Sequence, residues 1–517
     1  MAHQDDFSNK LGRRTVLGGL AATALVAPMA GPAWGQAKAG RIVRASMETQ
    51  PSSLDPITGT NGGDFRFLYP IYDTLVDWDF ATLKPKPKLA SAWRFTDPKT
   101  FVMDLRTNVT FHDGTPFNAE AVKFNLDRIK TDAKSNFKND MNSVDSIEIS
   151  GPHQITIKLN RPNTALPSVL SERAGLMASP AAIQKYGADF TRNPVGTGAW
   201  KFETWRDNDV LSLVRNEKYW QAGLPHVDGI TFKIIADTST GLRSVLAGEN
   251  DIIYEIAPTQ KPVVDKSNRV TGSFSTSQAF YPIWFNTARP PLNDVRVRQA
   301  INYALDRDRF NKATTLSHSE VARGIFPKAH WAYDPASQKD YLYNPEKAKA
   351  LLSEAGLASG FDMVLMGPTD DRSRQRQEIV VEQLKKVGIR ATIKGLSVND
   401  SIKAFFVDKQ ADALLILFGG RPDPSIALRD LFSARAFLNP ARTEPAGLSE
   451  ALALSEASED LAVRKEALAK VQRIVAENAL MAPLVFDSQF TVYSKKIKGY
   501  QPNLFGRLRF DGVKIDS

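Results

Sequence analysis

The sequence predicts an α/β protein of more than one domain, and three observations carry that reading. The chain has 517 residues, more than one core holds at ~100–200 residues per domain. From 344 to 396, strand and helix patterns alternate, the order expected of a mostly parallel sheet with helices on its faces. Short alternating strands bounded by turn residues occur earlier, as at Phe101, Met103 and Leu105 and over Gln154–Leu159. Hydrophobic residues at 42% and charged residues at 24% exclude disordered and fibrous classes.

The first 37 residues read as a leader. Arg13-Arg14 precedes Thr15-Val16-Leu17 and a mild Ala/Gly/Leu run to Ala30, broken by Pro28 and short of the ~20 apolar residues of a membrane helix. Ala33, Gly35 and Ala37 suit a signal peptidase, with cleavage after Ala37. The paired arginines resemble a twin-arginine export signal, read by the machinery that moves folded proteins. Cysteine is absent, which rules out disulfides, thiolate metal sites and a lipid-bearing cysteine. An exported chain without an anchor is retained in a periplasm. The net charge of +9 is diffuse, with no basic run and no basic–aromatic interleaving, so no nucleic-acid partner is expected.

Arg41–Ser46 reads as a strand ended by Pro51, Ser52, Ser53, Asp55 and Pro56. Tyr69–Val76 reads as a short half-buried helix or strand. His112-Asp113-Gly114-Thr115 is a turn in which His112 bonds locally, and Asn118 caps a helix carrying Val122, Leu126 and Ile129. Gly196-Thr197-Gly198 permits tight backbone and lets a ligand approach the main chain. Trp200 to Arg215 is a hairpin, Ile230–Ile235 a buried strand, and Gly241–Gly248 a short helix before Asp251–Tyr254. Tyr281–Asn286 is an aromatic strand, followed by a Pro290-Pro291 elbow and a helix with Asn293 as its cap. A strand, a stiff elbow and a helix in mid-chain read either as an ordinary loop or as the place where the chain leaves one lobe and starts another. Beyond it come a helix opened by Asn344-Pro345, the strand Phe361–Met366, the helix Gln377–Val387, the strands Ile389–Leu396 and Leu414–Phe418, a helical pair over 448–478, and the strand Met481–Tyr493.

No HExxH, GxSxG, phosphate-cradling glycine loop or paired-histidine site is present. No cofactor and no metal ligand set is expected, and a secreted hydrolase would need a nucleophile and base that the sequence does not offer.

Several stretches together resemble the extracytoplasmic solute-binding protein family 5 of oligopeptide, dipeptide and nickel ABC importers. They are Pro51–Pro56, Ile71–Leu75, Leu89-Ala90 with Trp93, Leu105-Arg106, Phe111–Phe117, Ala121–Phe124, Pro194–Trp200, Arg215–Trp220, Asn286, Val297–Ile301 and Asp306-Arg307. The resemblance implies a two-lobed, type II Venus-flytrap periplasmic binding protein fold with an extra α+β subdomain. Lobe I then comprises 38–70, 190–282 and 487–517, the subdomain 71–189, and lobe II 283–486. It implies a soluble periplasmic monomer that closes on a peptide or peptide-like solute and presents it to a membrane permease. Alternatives of the same fold are a receptor for an opine-like or sugar conjugate, a carrier of a metal chelate, and a chaperone or sensor.

Strand ends at the cleft make Thr49, Gln50, Tyr69, Thr197, Trp284, Asn286, Phe418, Arg421 and Asp423 the ligand-binding candidates. Peptide-binding relatives place an acid in the loop where this chain reads Gly419-Gly420-Arg421-Pro422, and the nearest acid here is Asp423. Arg421 offers a planar fork suited to carboxylate or phosphate, which points away from recognition of a free amino terminus and toward an acidic ligand.

Overall fold

The computed structural model describes residues 40–60, 62–337 and 340–516, so the leader expected over 1–37 lies outside the described residues. A ten-stranded sheet organises the rest. At its middle run two long antiparallel strands, Val270–Phe285 and Met481–Ser494. On the Met481–Ser494 side follow Ile252–Ile256, Ile42–Met47, Gly229–Ile234 and the hairpin of Val210–Arg215 with Trp200–Arg206. On the other side follow Ala413–Leu415, Phe361–Pro368 and Ile389–Leu396.

Ile42–Met47 and Phe361–Pro368 are each parallel to both neighbours. All other neighbours are antiparallel. The sheet is therefore mixed, where a mostly parallel one was expected. Helix–strand alternation reports crossover connections, and the two central strands are reached by other routes. The first of them is also longer than its sequence signal. Its opening half, Val270–Thr276, is rich in Gly, Ser and Thr and carries no apolar alternation; only Tyr281–Phe285 does.

Ala90–Asp97, Thr100–Leu105, Gln154–Leu159 and Val144–Gly151 form a separate antiparallel sheet. The helix Ala119–Thr131 packs Val122, Leu126 and Ile129 into the same core, with Asn118 accepting from the Ala121 N–H as its cap. Each such side chain contributes about 1.5–3 kcal/mol by burial. After the elbow, the helix Val295–Ala304 is capped by Asp294 rather than Asn293. Both are short polar residues, and backbone direction alone selects between them. The segment 69–76 resolves into the end of a helix, Phe65–Ile71, and the start of a strand, Val76–Trp78, all of it buried rather than half-buried.

The Gly196-Thr197-Gly198 loop admits protein, not ligand. A Cβ on Gly196 would stand 2.2 Å from the Ile71 carbonyl oxygen, and one on Gly198 2.5 Å from that of Pro70. His112 also reaches beyond its own turn to this loop. Its N–H donates to the Gly196 carbonyl at 2.9 Å, its Nδ1 accepts from the Gly196 N–H at 3.3 Å, and its Nε2 lies 2.9 Å from the Gly198 carbonyl. An accepting Nδ1 makes Nε2 the donor, so the ring is neutral. Burial agrees, pulling its pKa down to about 4.

Candidate ligand-binding site

The ladder between the two central strands loses register between Thr276 and Phe280, and Asp487 lies opposite this gap. Side chains from several elements gather around it. Arg66 comes from the helix Phe65–Ile71, Glu255 from the strand Ile252–Ile256, and Tyr281 from the facing strand. Arg372 and Arg376 come from the first turns of the helix Asp371–Lys385, which is capped by Asp370.

Part of this group is complete. Glu255 has φ 61°, a left-handed conformation that costs a non-glycine residue roughly 1–2 kcal/mol, at a register shift between Ile253 and Ile256. Its carboxylate pairs with Arg66 and accepts from Gln489 Nε2 at 3.3 Å. Gln489 also donates to the Gly506 carbonyl at 3.1 Å, and the Tyr254 hydroxyl contacts both of these residues. Burial works against the charge on Arg66, but Glu255 and Tyr254 outweigh it and hold its pKa above the ordinary value.

The rest is open. Asp487 has no hydrogen-bond or ion-pair partner among the described residues. Burial, with Glu255 beside it, prevails over Arg376 and Arg372 and pushes its pKa up to about 6. Arg376 lies 4.0 Å above the Tyr281 ring, and its buried Nε has no hydrogen-bond partner among the described residues. Arg372 is exposed and forms no ion pair among them. Charges of both signs thus face one space without neutralising each other at contact distance.

A second charged wall lies around Tyr69. Its hydroxyl donates to Glu172 at 2.9 Å, and Arg507 approaches the same carboxylate at 3.4 Å while lying 4.1 Å above the Phe65 ring. Burial raises the pKa of Glu172. Asp140 stands at the exposed edge of this wall. Burial, aided by Asp430 and opposed by Arg421, pushes its pKa up to about 6.

Of the residues singled out from sequence, Tyr69 belongs to this second wall. Arg421 pairs through Nε with Asp430 at 2.6 Å, so one edge of its guanidinium is tied to the following helix while the side chain keeps exposed surface. Phe418 and Trp284 pack against each other and Phe280, and Trp284 Nε1 donates to the Ile416 carbonyl at 3.2 Å. Asn286 is buried, its Oδ1 accepting from the Ala288 N–H. Thr197 is buried, its Oγ1 accepting from the Asp73 N–H at 3.2 Å. Gln50 accepts from the Asn208 N–H at 2.8 Å, and Thr49 is exposed.

Asp423 requires a correction. It is 1% exposed, pairs with Arg464 at 2.7 Å, caps the helix Pro424–Phe432 through the Ser425 N–H, and accepts from Ser168 Oγ at 3.2 Å. Its oxygens are occupied, so it is a structural acid rather than a ligand group.

Sequence reasoning missed Arg66, Glu255, Tyr281, Arg372, Arg376, Asp487 and Gln489. Asp487 carried a readable signal, an acid directly after the apolar run Met481-Ala-Pro-Leu-Val-Phe486 within one strand. The two arginines fell outside a helix read as starting at Gln377.

The profile of the bacterial extracellular solute-binding proteins, family 5, matches residues 84–437. The chain belongs to this family. The glutathione-binding protein GsiB of Escherichia coli O1:K1 is 28% identical over 475 residues, covering 89% of this chain and 92% of GsiB. The structure of HbpA2 from Haemophilus parasuis superposes with a TM-score of 0.83 at 25% identity, over 92% of this chain and all of that one. DppA from Helicobacter pylori, in complex with the peptide STSA, gives 0.79 at 24% identity over 92% and 98%. The two-lobed α/β fold expected from the sequence is the fold of this chain. Among the described residues no helix is long and apolar enough to cross a membrane.

Proposed function

We propose that this protein is the periplasmic substrate-binding component of an ABC importer and captures a peptide or peptide-like solute between its lobes for a membrane permease. The observation that carries this reading is the set of unneutralised charges where the two central strands pass side by side, with Asp487 on one of them and Arg372 and Arg376 across from it. Relatives named for glutathione and peptide binding support the same class. On this reading residues 1–37 are a twin-arginine leader, and the lobes divide at 38–70, 190–282 and 487–517, with the subdomain over 71–189 and lobe II over 283–486.

The conformer described is then closed. Thr164 donates to the Glu456 carbonyl at 2.9 Å through its N–H, Arg161 pairs with Glu456 at 2.9 Å, and Ser168 bonds Asp423. All three contacts join the subdomain to lobe II. A ligand that touches both lobes stabilises this form over the open one in proportion to its differential affinity.

A second reading, an acidic conjugate, is favoured by two arginines facing one free acid. A thermal-shift screen of refolded mature protein tests both. Ligand at ~100 times its Kd stabilises by roughly 2.7 kcal/mol. A rise with di- to pentapeptides supports peptide capture, a rise only with opines or sugar conjugates supports the second reading, and silence with both classes counts against each.

A further inference from the structure

We propose that Asp487 is the acceptor for the ligand's cationic group and that Arg372 and Arg376 receive its anionic group, so that the site selects a small zwitterion. This deepens the solute-capture reading and rests on it.

The loop where peptide-binding relatives carry an acid has none to spare. Gly419 and Gly420 bear no side chain, Arg421 is held by Asp430, and Asp423 is consumed by Arg464, Ser425 and Ser168. Of the other acids nearby, Glu255 is held by Arg66 and Gln489, and Glu172 by Tyr69 and Arg507. Asp487 has neither contact. Asp487 is half-buried, and a carboxylate partly removed from water without a partner gains when something else completes it. The same reasoning applies to Arg376, whose buried Nε has no hydrogen-bond acceptor among the described residues. The acid stands on the central strand Met481–Ser494 and the arginines on the helix Asp371–Lys385, so one ligand bridging them ties two elements together.

The pH response follows from the groups facing Asp487. These are Glu255 and Tyr254 at the end of Ile252–Ile256, Tyr281 on the facing strand, Arg372 and Arg376 on the helix, and Arg66 behind Glu255. With the Asp487 carboxyl titrating at about 6, only about a tenth is ionised at pH 5, while a ligand amine and carboxylate keep their charges there. Affinity for a cationic group should therefore fall about tenfold from pH 7 to pH 5.

The test is calorimetric titration with alanyl-alanine, its N-acetyl form, its C-terminal amide, and an N-carboxyalkyl amino acid as a non-peptide zwitterion. Wild type should bind a free zwitterion at least tenfold better than the blocked forms. Asp487→Asn should lose at least tenfold for the zwitterion, nothing for the N-acetyl form, and its pH dependence. Arg372→Gln with Arg376→Gln should lose affinity for the free acid and not for the amide. Binding of the N-carboxyalkyl probe with the peptides silent refutes peptide capture and leaves the charge assignment standing. The assignment is overturned if Asp487→Asn binds like wild type, if the loss falls on Asp140→Asn instead, or if no zwitterion binds. The unliganded unfolding midpoint of each variant separates these results from misfolding.

Discussion

Lys88 is a buried charge and Asp487 a half-buried one, and they are treated in opposite ways. Lys88 has Asp73 at 3.2 Å, Asp511 at 3.8 Å and Asp77 at 3.9 Å, while Arg509 adds bonds to Asp511 and Asp77. Tyr219 and Trp220 donate to the remaining sides of Asp73. Around Asp487 the opposite charges stop short of contact. A network closed on itself fixes the fold and has nothing left for a ligand. One left open has capacity that only an incoming molecule uses.

The comparison breaks first at Lys88. Lys88→Ala leaves Asp73 without a cationic partner and Asp77 and Asp511 to Arg509 and Lys86, and removing one partner of a buried ion pair costs about 3–5 kcal/mol. Denaturant unfolding should show that loss, and a near-neutral result would remove the contrast. Next is Gly198→Ala, whose Cβ meets the Pro70 and Ile71 backbone. Overpacking there should cost about 1–3 kcal/mol, read as a lower thermal midpoint.

Asp487→Asn should act in the other direction. The carboxyl has a raised pKa, so in wild type its favourable contribution is full below about pH 4 and is lost as pH rises through about 6. The variant should gain about 1–2 kcal/mol on wild type at pH 7.5 and match it at pH 4. The acids around Lys88 and Arg509 have the opposite sign. Arg509 and Lys88 hold the pKa values of Asp511 and Asp77 below the ordinary value against burial, so their stability is present at neutral pH and lost in acid. The smallest effect belongs to Arg161→Ala. This half-exposed partner of Glu456 should cost ~0.2–1 kcal/mol, appearing as a faster ligand off-rate.

Which elements were legible follows the same physics. The helices capped by Asn118 and Asn344, the helical pair over 448–478 and the strand Ile389–Leu396 were readable because cap, period and burial agree locally. Strand direction was not, since pairing partners lie far apart in sequence. Of the groups proposed for the site, only Tyr69 and, loosely, the loop containing Arg421 were singled out from sequence. Binding groups were sought at strand ends and beside glycines, where Thr197, Asn286 and Asp423 turn out to satisfy backbone and core. Whether an acid is spent or spare depends on its partners, and Asp423 and Asp487 look alike in a string of letters.

The interrupted ladder between Val270–Phe285 and Met481–Ser494 has a kinetic consequence. If the two halves of the sheet rotate about that gap, Asp487 sits at the fulcrum, where distances change least, and Arg161, Thr164 and Glu456 travel farthest. A solute can then meet its charge partners in either conformer, so encounter is governed at the fulcrum and steered by its field. Residence time is set at the far contacts, which must part before anything leaves.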